Sequence, residues 1–182
     1  MGRRIGGKSL DIGQIFLKGM FSDHFASRNG VINRVFLVPV WVPVGCTVDE
    51  LVAYCNAASA GNSFRLGLYG RGVPNWETPL GAPLLAESGN IPAAVGGLVY
   101  AIAPPVIVPA GLVWVALATE DAVMQYSASG NADIFENSAD PMMGGCHYLL
   151  GGWGALGNPC PAVTRNGNAR VICGLHTVLW QL

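Results

Sequence analysis

The sequence predicts an all-β protein, an antiparallel β-sandwich with an extended N-terminal arm, on three observations. Between Val35 and Thr119 short apolar runs alternate with Gly, Pro and small polar breaks. Each run has strand length and strand composition, and none carries the periodicity of an amphipathic helix. A length of 182 residues suits one domain with an adequate core. The chain therefore divides into residues 1–34, a basic arm or a first strand leading into the domain, and residues 35–182, the sandwich.

Residues 1–34 contain Gly2, Gly6, Gly7, Gly13 and Gly19, whose backbone entropy opposes a helix; residues 15–25 are expected to add to a sheet edge only when a partner is present. The first core run, Val35 to Val44, carries Pro39 and Pro43, which remove amide donors and place the strand at an edge or a bulge. A loop at residues 45–49 then leads into Leu51 to Cys55. After the small-residue link 56–62 comes Phe64 to Tyr69, with Phe64, Leu66 and Leu68 on the core side and Arg65, Gly67 and Tyr69 on the other. Gly67 lets a strand or an aromatic ring approach closely.

Residues 70–83 form a long loop around Trp76, of a length that commonly carries function. Leu84 to Glu87 is a short strand. Leu98 to Ala103 leads through Pro104 and Pro105 to Val106–Val108, and Pro109, Ala110 and Gly111 turn the chain into Leu112 to Thr119. That last run is apolar on both faces, as in a central strand covered on both sides. Residues 120–145 are rich in Ser, Asn, Gly and acids, and Gly144, Gly145, Gly151, Gly152 and Gly154, with Trp153, read as loop. Arg170 to Trp180 is a final strand.

Apolar residues make up 51% and charged residues 12%, with 25 Gly and 12 Pro. Such an exterior is poor in charge for a free-standing protein and is expected to be covered by other subunits. Residues 1–34 hold Arg3, Arg4, Lys8, Lys18, Arg28 and Arg34 against Asp11 and Asp23, whereas residues 72–164 contain no Lys or Arg. A basic beginning and an acidic body favour contacts between copies or with a larger assembly, and the six basic residues are the candidate arm contacts. Nucleic-acid binding is disfavoured, because spread charges without interleaved aromatics leave a small phosphate footprint. No run approaches the roughly 20 apolar residues that span a bilayer, since Pro39, Pro43, Pro104, Pro105 and Pro109 interrupt the most hydrophobic segments, so no membrane partner is expected. The N-terminus lacks the continuous apolar stretch of a signal peptide.

No catalytic, cofactor or metal site is expected. Cys46, Cys55, Cys146, Cys160 and Cys173 are odd in number and lack C-x-x-C spacing, which suits reduced, buried thiols in a protein made in the cytosol. A zinc site on Cys146, His147 and Cys160 is disfavoured, since adjacent strand residues point to opposite faces. His176 reads as a hydrogen-bonded core or interface residue, not a general base. No nucleophile elbow, zinc-protease motif or phosphate loop is present. Glu120, Asp121, Asp133 and Glu136 are the carboxylates from which a hydrolase pair would be drawn, and nothing in the sequence brings two of them to one cleft.

Three segments in order carry a resemblance: Ser63 to Tyr69 (Ser-Phe-Arg-Leu-Gly-Leu-Tyr), Pro83 to Gly89 (Pro-Leu-Leu-Ala-Glu-Ser-Gly) and Pro109 to Leu117 (Pro-Ala-Gly-Leu-Val-Trp-Val-Ala-Leu), preceded by Pro43 to Asp49. The stretch they mark out covers roughly half of the chain, which resembles a β-sandwich module of tailed bacteriophages found in head decoration and cement proteins, head fibres and tail-fibre tips. The resemblance implies a jelly-roll-like, trimer-forming virion protein, made in the host cytoplasm, with copies of itself and the major capsid protein or another virion protein as partners. The chain lacks a shaft or collagen-like repeat, which favours a capsid decoration or cement subunit over a tail-fibre or receptor-binding appendage. Trp76 and Trp153, in loops, are candidate contacts. They either plug a subunit interface, the preferred reading, or stack on host glycan. Trp41, Trp114 and Trp180 lie within strands and read as core or inter-subunit packing.

Overall fold

The computed structural model describes residues 4–5, 8–9, 14–16, 25–29, 34–42, 44–73, 78–94, 97–120, 125–129, 146–150, 154–166, 170–171 and 173–180. Among these the chain is all-β and antiparallel, without a helix. Its strands are β1 (Arg4–Ile5), β2 (Lys8–Ser9), β3 (Gln14–Phe16), β4 (Phe25–Asn29), β5 (Arg34–Val42), β6 (Cys46–Ala57), β7 (Ser63–Tyr69) and β8 (Leu84–Glu87). They continue as β9 (Ile91–Pro92), β10 (Gly97–Val108), β11 (Gly111–Thr119), β12 (Gln125–Ser129), β13 (Cys146–Leu150), β14 (Thr164–Asn166), β15 (Arg170–Val171) and β16 (Cys173–Trp180).

Apart from the β1–β2 pair, the strands form two seven-stranded sheets. In the first, β6 is central: β10 lies along one side, β16 and β12 share the other, and β3, β4 and β15 add outside them. The second runs β14-β13-β5-β11-β7-β8, with β9 also on β7. Within residues 1–34, β3 pairs with β16 and β4 pairs with β12, so both segments add to a sheet of the same chain.

Alternation along the strands sends one set of side chains from both sheets into a common cluster. Val38, Val40 and Val42 of β5, Phe64, Leu66 and Leu68 of β7, and Val113, Val115 and Leu117 of β11 share one cluster with Cys46, Val48 and Leu51 of β6 and Leu175 of β16. Each is buried, at 2% exposure or less. A buried side chain of this kind contributes about 1.5–3 kcal/mol over its exposed state.

The opposite face of the second sheet is buried as well. Val35, Leu37, Tyr69, Leu112, Trp114, Ala116 and Ala118 form a second cluster with Leu156 and Cys160 from the segment 154–163. β11 is consequently buried from Leu112 to Thr119, the two-sided coverage its composition requires.

Several expectations need correction. The loop foreseen at residues 45–49 is strand from Cys46 onward, because β10 and β16 offer backbone partners on both sides: Cys46 faces both Val108 and Trp180. β5 is interior, not an edge, between β13 and β11. Its pairing with β13 ends at Leu37, however, so Pro39 lies on the half of β5 that has only β11 beside it. The runs on either side of Pro104 and Pro105 are one strand, with its register irregularity between Ile102 and Val106. Among the described residues β10 pairs only with β6, and that open side tolerates the missing amides. β12 lies within the polar stretch 120–145, and β13 lies between the two groups of glycines read as loop.

Candidate docking surface

β5, β7, β10 and β16 finish at the same end of the sheets at which β6 and β11 begin. The register fixes this, with Val42 opposite Gly111, Cys46 opposite Val108 and Trp180, and Tyr69 opposite Trp114. All the exposed large apolar side chains among the described residues gather in the loops and strand ends here. They are Trp41 (50% exposed), Val44 (40%), Val73 (63%), Leu80 (44%) and Ile107 (64%).

Each is exposed for a local reason. Trp41 continues the face of Val35 and Leu37 along β5, beyond the reach of the covering segment. Val44 is in the short β5–β6 turn, and Ile107 is one residue from the end of β10. Val73 and Leu80 flank the tip of the loop between β7 and β8. Single exposed apolar residues need no explanation, but their grouping at one end makes it the candidate contact surface among the described residues.

A cleft of about 510 Å³ opens within this end, lined by Trp41, Gly70, Arg71, Leu112, Val113 and the turn Pro109–Gly111. Its lining is predominantly apolar. Arg71 supplies its one charge.

The loop between β7 and β8 is held at its base. The Gly70 amide donates to the Pro83 carbonyl (2.9 Å) and the Val73 amide to that of Leu80 (3.0 Å). A reciprocal pair then ties it to the covering segment: the Gly81 amide donates to the Cys160 carbonyl (2.9 Å), and the Cys160 amide to the Ala82 carbonyl (2.8 Å). Gly81 has φ +70 and a Cβ there would lie 2.8 Å from the Val73 carbonyl oxygen, so this turn requires glycine.

The covering segment is pinned along its length. The Tyr69 hydroxyl donates to the Gly157 carbonyl (2.8 Å), and the Leu84 amide donates to Asn158 Oδ1 (3.0 Å). Glu87 Oε1 accepts from the Leu156 amide (3.2 Å) and from Arg65 Nη1 (2.6 Å), while Arg65 Nη2 donates to Asn90 Oδ1. What approaches Gly67 is Leu156, neither a strand nor an aromatic ring.

Burial pushes the Cys160 thiol up from 9.0 to about 11 and raises that of Cys46. Burial, followed by Cys160 and Glu87, also raises the Tyr69 phenol. A thiol raised in the folded state gives stability that is complete below pH 9 and is lost as pH rises through about 11. Urea midpoints are expected to fall across that window, and Cys160→Ala to flatten the fall.

Of the residues singled out in the sequence, Arg3, Lys18, Trp76 and Trp153 lie outside the described residues, as do Asp121, Asp133 and Glu136. Arg4 is on β1, Lys8 on β2, Arg28 on β4 and Arg34 on β5. They are thus spread over four strands. Cys146 and His147 are on β13, whereas Cys160 is in the covering segment. Glu120 accepts the Ser63 amide (2.8 Å), a structural contact at the end of β11. No group of three His, Cys, Asp or Glu with metal-holding geometry exists among the described residues. No helix there is long and apolar enough to cross a membrane. The cleft beside Trp41 was missed, because a strand tryptophan reads as core or inter-subunit packing without distinction; its signal was the odd-numbered position it shares with outward-facing Val35 and Leu37. No protein family, curated protein or solved structure matches this chain.

Proposed function

We propose that this chain is a non-enzymatic structural protein of a bacteriophage virion, a jelly-roll-like sandwich that decorates and cements the head lattice. It assembles with itself as a trimer and docks on the major capsid protein through its apolar end. The observation that carries this reading is that, among the described residues, the exposed large apolar side chains Trp41, Val44, Val73, Leu80 and Ile107 all lie at one end. Adhesion comes from burying apolar side chains at that end, and a stable contact typically buries roughly 800 Å² per partner. The shortage of charge in residues 72–164 lets further faces of the subunit lie against neighbours. The basic residues of 1–34 meet the acidic body of an adjacent copy.

Replacing Val73 and Ile107 together with Asp tests the reading, because both side chains are more than half exposed and the fold does not depend on them. The double variant is expected to keep its circular dichroism spectrum and to lose at least about tenfold in co-sedimentation with capsids, since desolvated carboxylates are costly at an apolar contact. Unchanged occupancy on capsids would count against docking through this end.

A further inference from the structure

Arg71 is the only charged side chain lining the Trp41 cleft. It is exposed, and its guanidinium has no ion pair or hydrogen bond among the described residues. The rest of the lining is the half-exposed indole of Trp41, Leu112 and Val113, the Pro109 and Ala110 turn, and glycine backbone. A saccharide needs several polar groups to meet its hydroxyls, and these walls offer few. A purely apolar occupant would strip water from the guanidinium without replacing it. The complement of this cleft is therefore an apolar side chain with a carboxylate next to it.

Building on docking through this end, we infer that the cleft receives an acidic peptide segment of the capsid partner, in which a Leu, Ile or Phe side chain inserts against Trp41 and a neighbouring Asp or Glu pairs with Arg71. The volume, about 510 Å³, falls in the range of clefts that bury ligands of this size. An aromatic wall beside an arginine is also the composition of an anchoring pocket at protein interfaces. The guanidinium fork offers a carboxylate two parallel hydrogen bonds, a geometry that lysine could not reproduce.

The test is fluorescence anisotropy on the full chain with a labelled peptide alternating Phe and Glu, against the same peptide with Lys in place of Glu. The acidic peptide is expected to bind at least about tenfold more tightly, to weaken as salt is raised, and to lose about tenfold on Arg71→Gln, as befits a charged hydrogen-bonded pair. Trp41→Ala should weaken both peptides, because it removes the shared apolar wall. Equal binding of the two peptides, indifference to Arg71→Glu, or preferential capture of sialyllactose or oligogalacturonate would overturn the inference. Capsid co-sedimentation separates this from the docking reading. If the Val73 and Ile107 double variant fails to bind capsids while Arg71→Glu binds fully, docking stands and the acidic occupant falls. If the peptide preference holds while the double variant binds capsids normally, the cleft is a peptide site and docking through this end falls.

Discussion

Trp114→Ala is expected to destabilise the protein by about 3–5 kcal/mol, the cost of emptying a fully packed aromatic site and a large share of a domain's total stability. Trp114 has no exposed surface, although it lies on the side of the second sheet that faces away from the other sheet. Its neighbours there include Leu156 and Cys160 of the covering segment. Were that segment only laid over the sheet, the side chain would already be partly hydrated and its loss would cost about 1 kcal/mol, as at many surface positions. Urea unfolding followed by circular dichroism distinguishes the two. Trp41→Ala serves as the contrast, since that indole is half exposed and its removal is expected to cost well under the Trp114 value.

The second large effect concerns Gly67 and Leu156. A Cβ at position 67 would lie 2.1 Å from Leu156 Cδ1, a distance no pair of carbon atoms can hold without one of them moving. Gly67→Ala is therefore expected to cost about 1–3 kcal/mol as Leu156 is pushed from its seat. Leu156→Ala is expected to cost about 2–3 kcal/mol, because that side chain is only 7% exposed and its removal leaves a cavity over β7. Combined, the two changes should cost at least about 1 kcal/mol less than their sum, since the new methyl group occupies the space the leucine vacates. Additive costs would show that Leu156 does not rest on Gly67 in solution. β-branched residues at 67 should be worse than Ala, because Leu156 cannot withdraw far while Gly157 accepts the Tyr69 hydroxyl and Glu87 accepts the Leu156 amide.

How much of this was legible in the sequence depended on whether a strand's partners were local. Leu84–Glu87 and Ser63–Tyr69 were readable to within a residue, since apolar alternation and flanking turns mark their bounds. The outward direction of Arg65, Gly67 and Tyr69 followed from the two-residue period. Strands whose partners come from far along the chain were not readable in the same way. Cys46 to Asp49 contains Thr and Asp beside its apolar residues, and becomes strand only because β10 and β16 both pair with it. Cys146–Leu150, between glycine-rich stretches, becomes strand by pairing with the first half of β5. The same blindness hid the candidate surface. Trp41 and Trp114 share a face of neighbouring strands, and only the path of residues 154–163 determines that one is sealed and the other open to solvent.

The reciprocal amide bonds between Gly81, Ala82 and Cys160 have a kinetic consequence. They lock the rim that carries Val73 and Leu80 in advance, so a partner docking as proposed would sacrifice little loop entropy, and the resulting complex should be long-lived for its size. They also make the rim and the covering segment rise and fall as one unit. Heat or alkali that lifts Leu156 and Cys160 from the sheet would release Val73 and Leu80 from their fixed positions at the same moment.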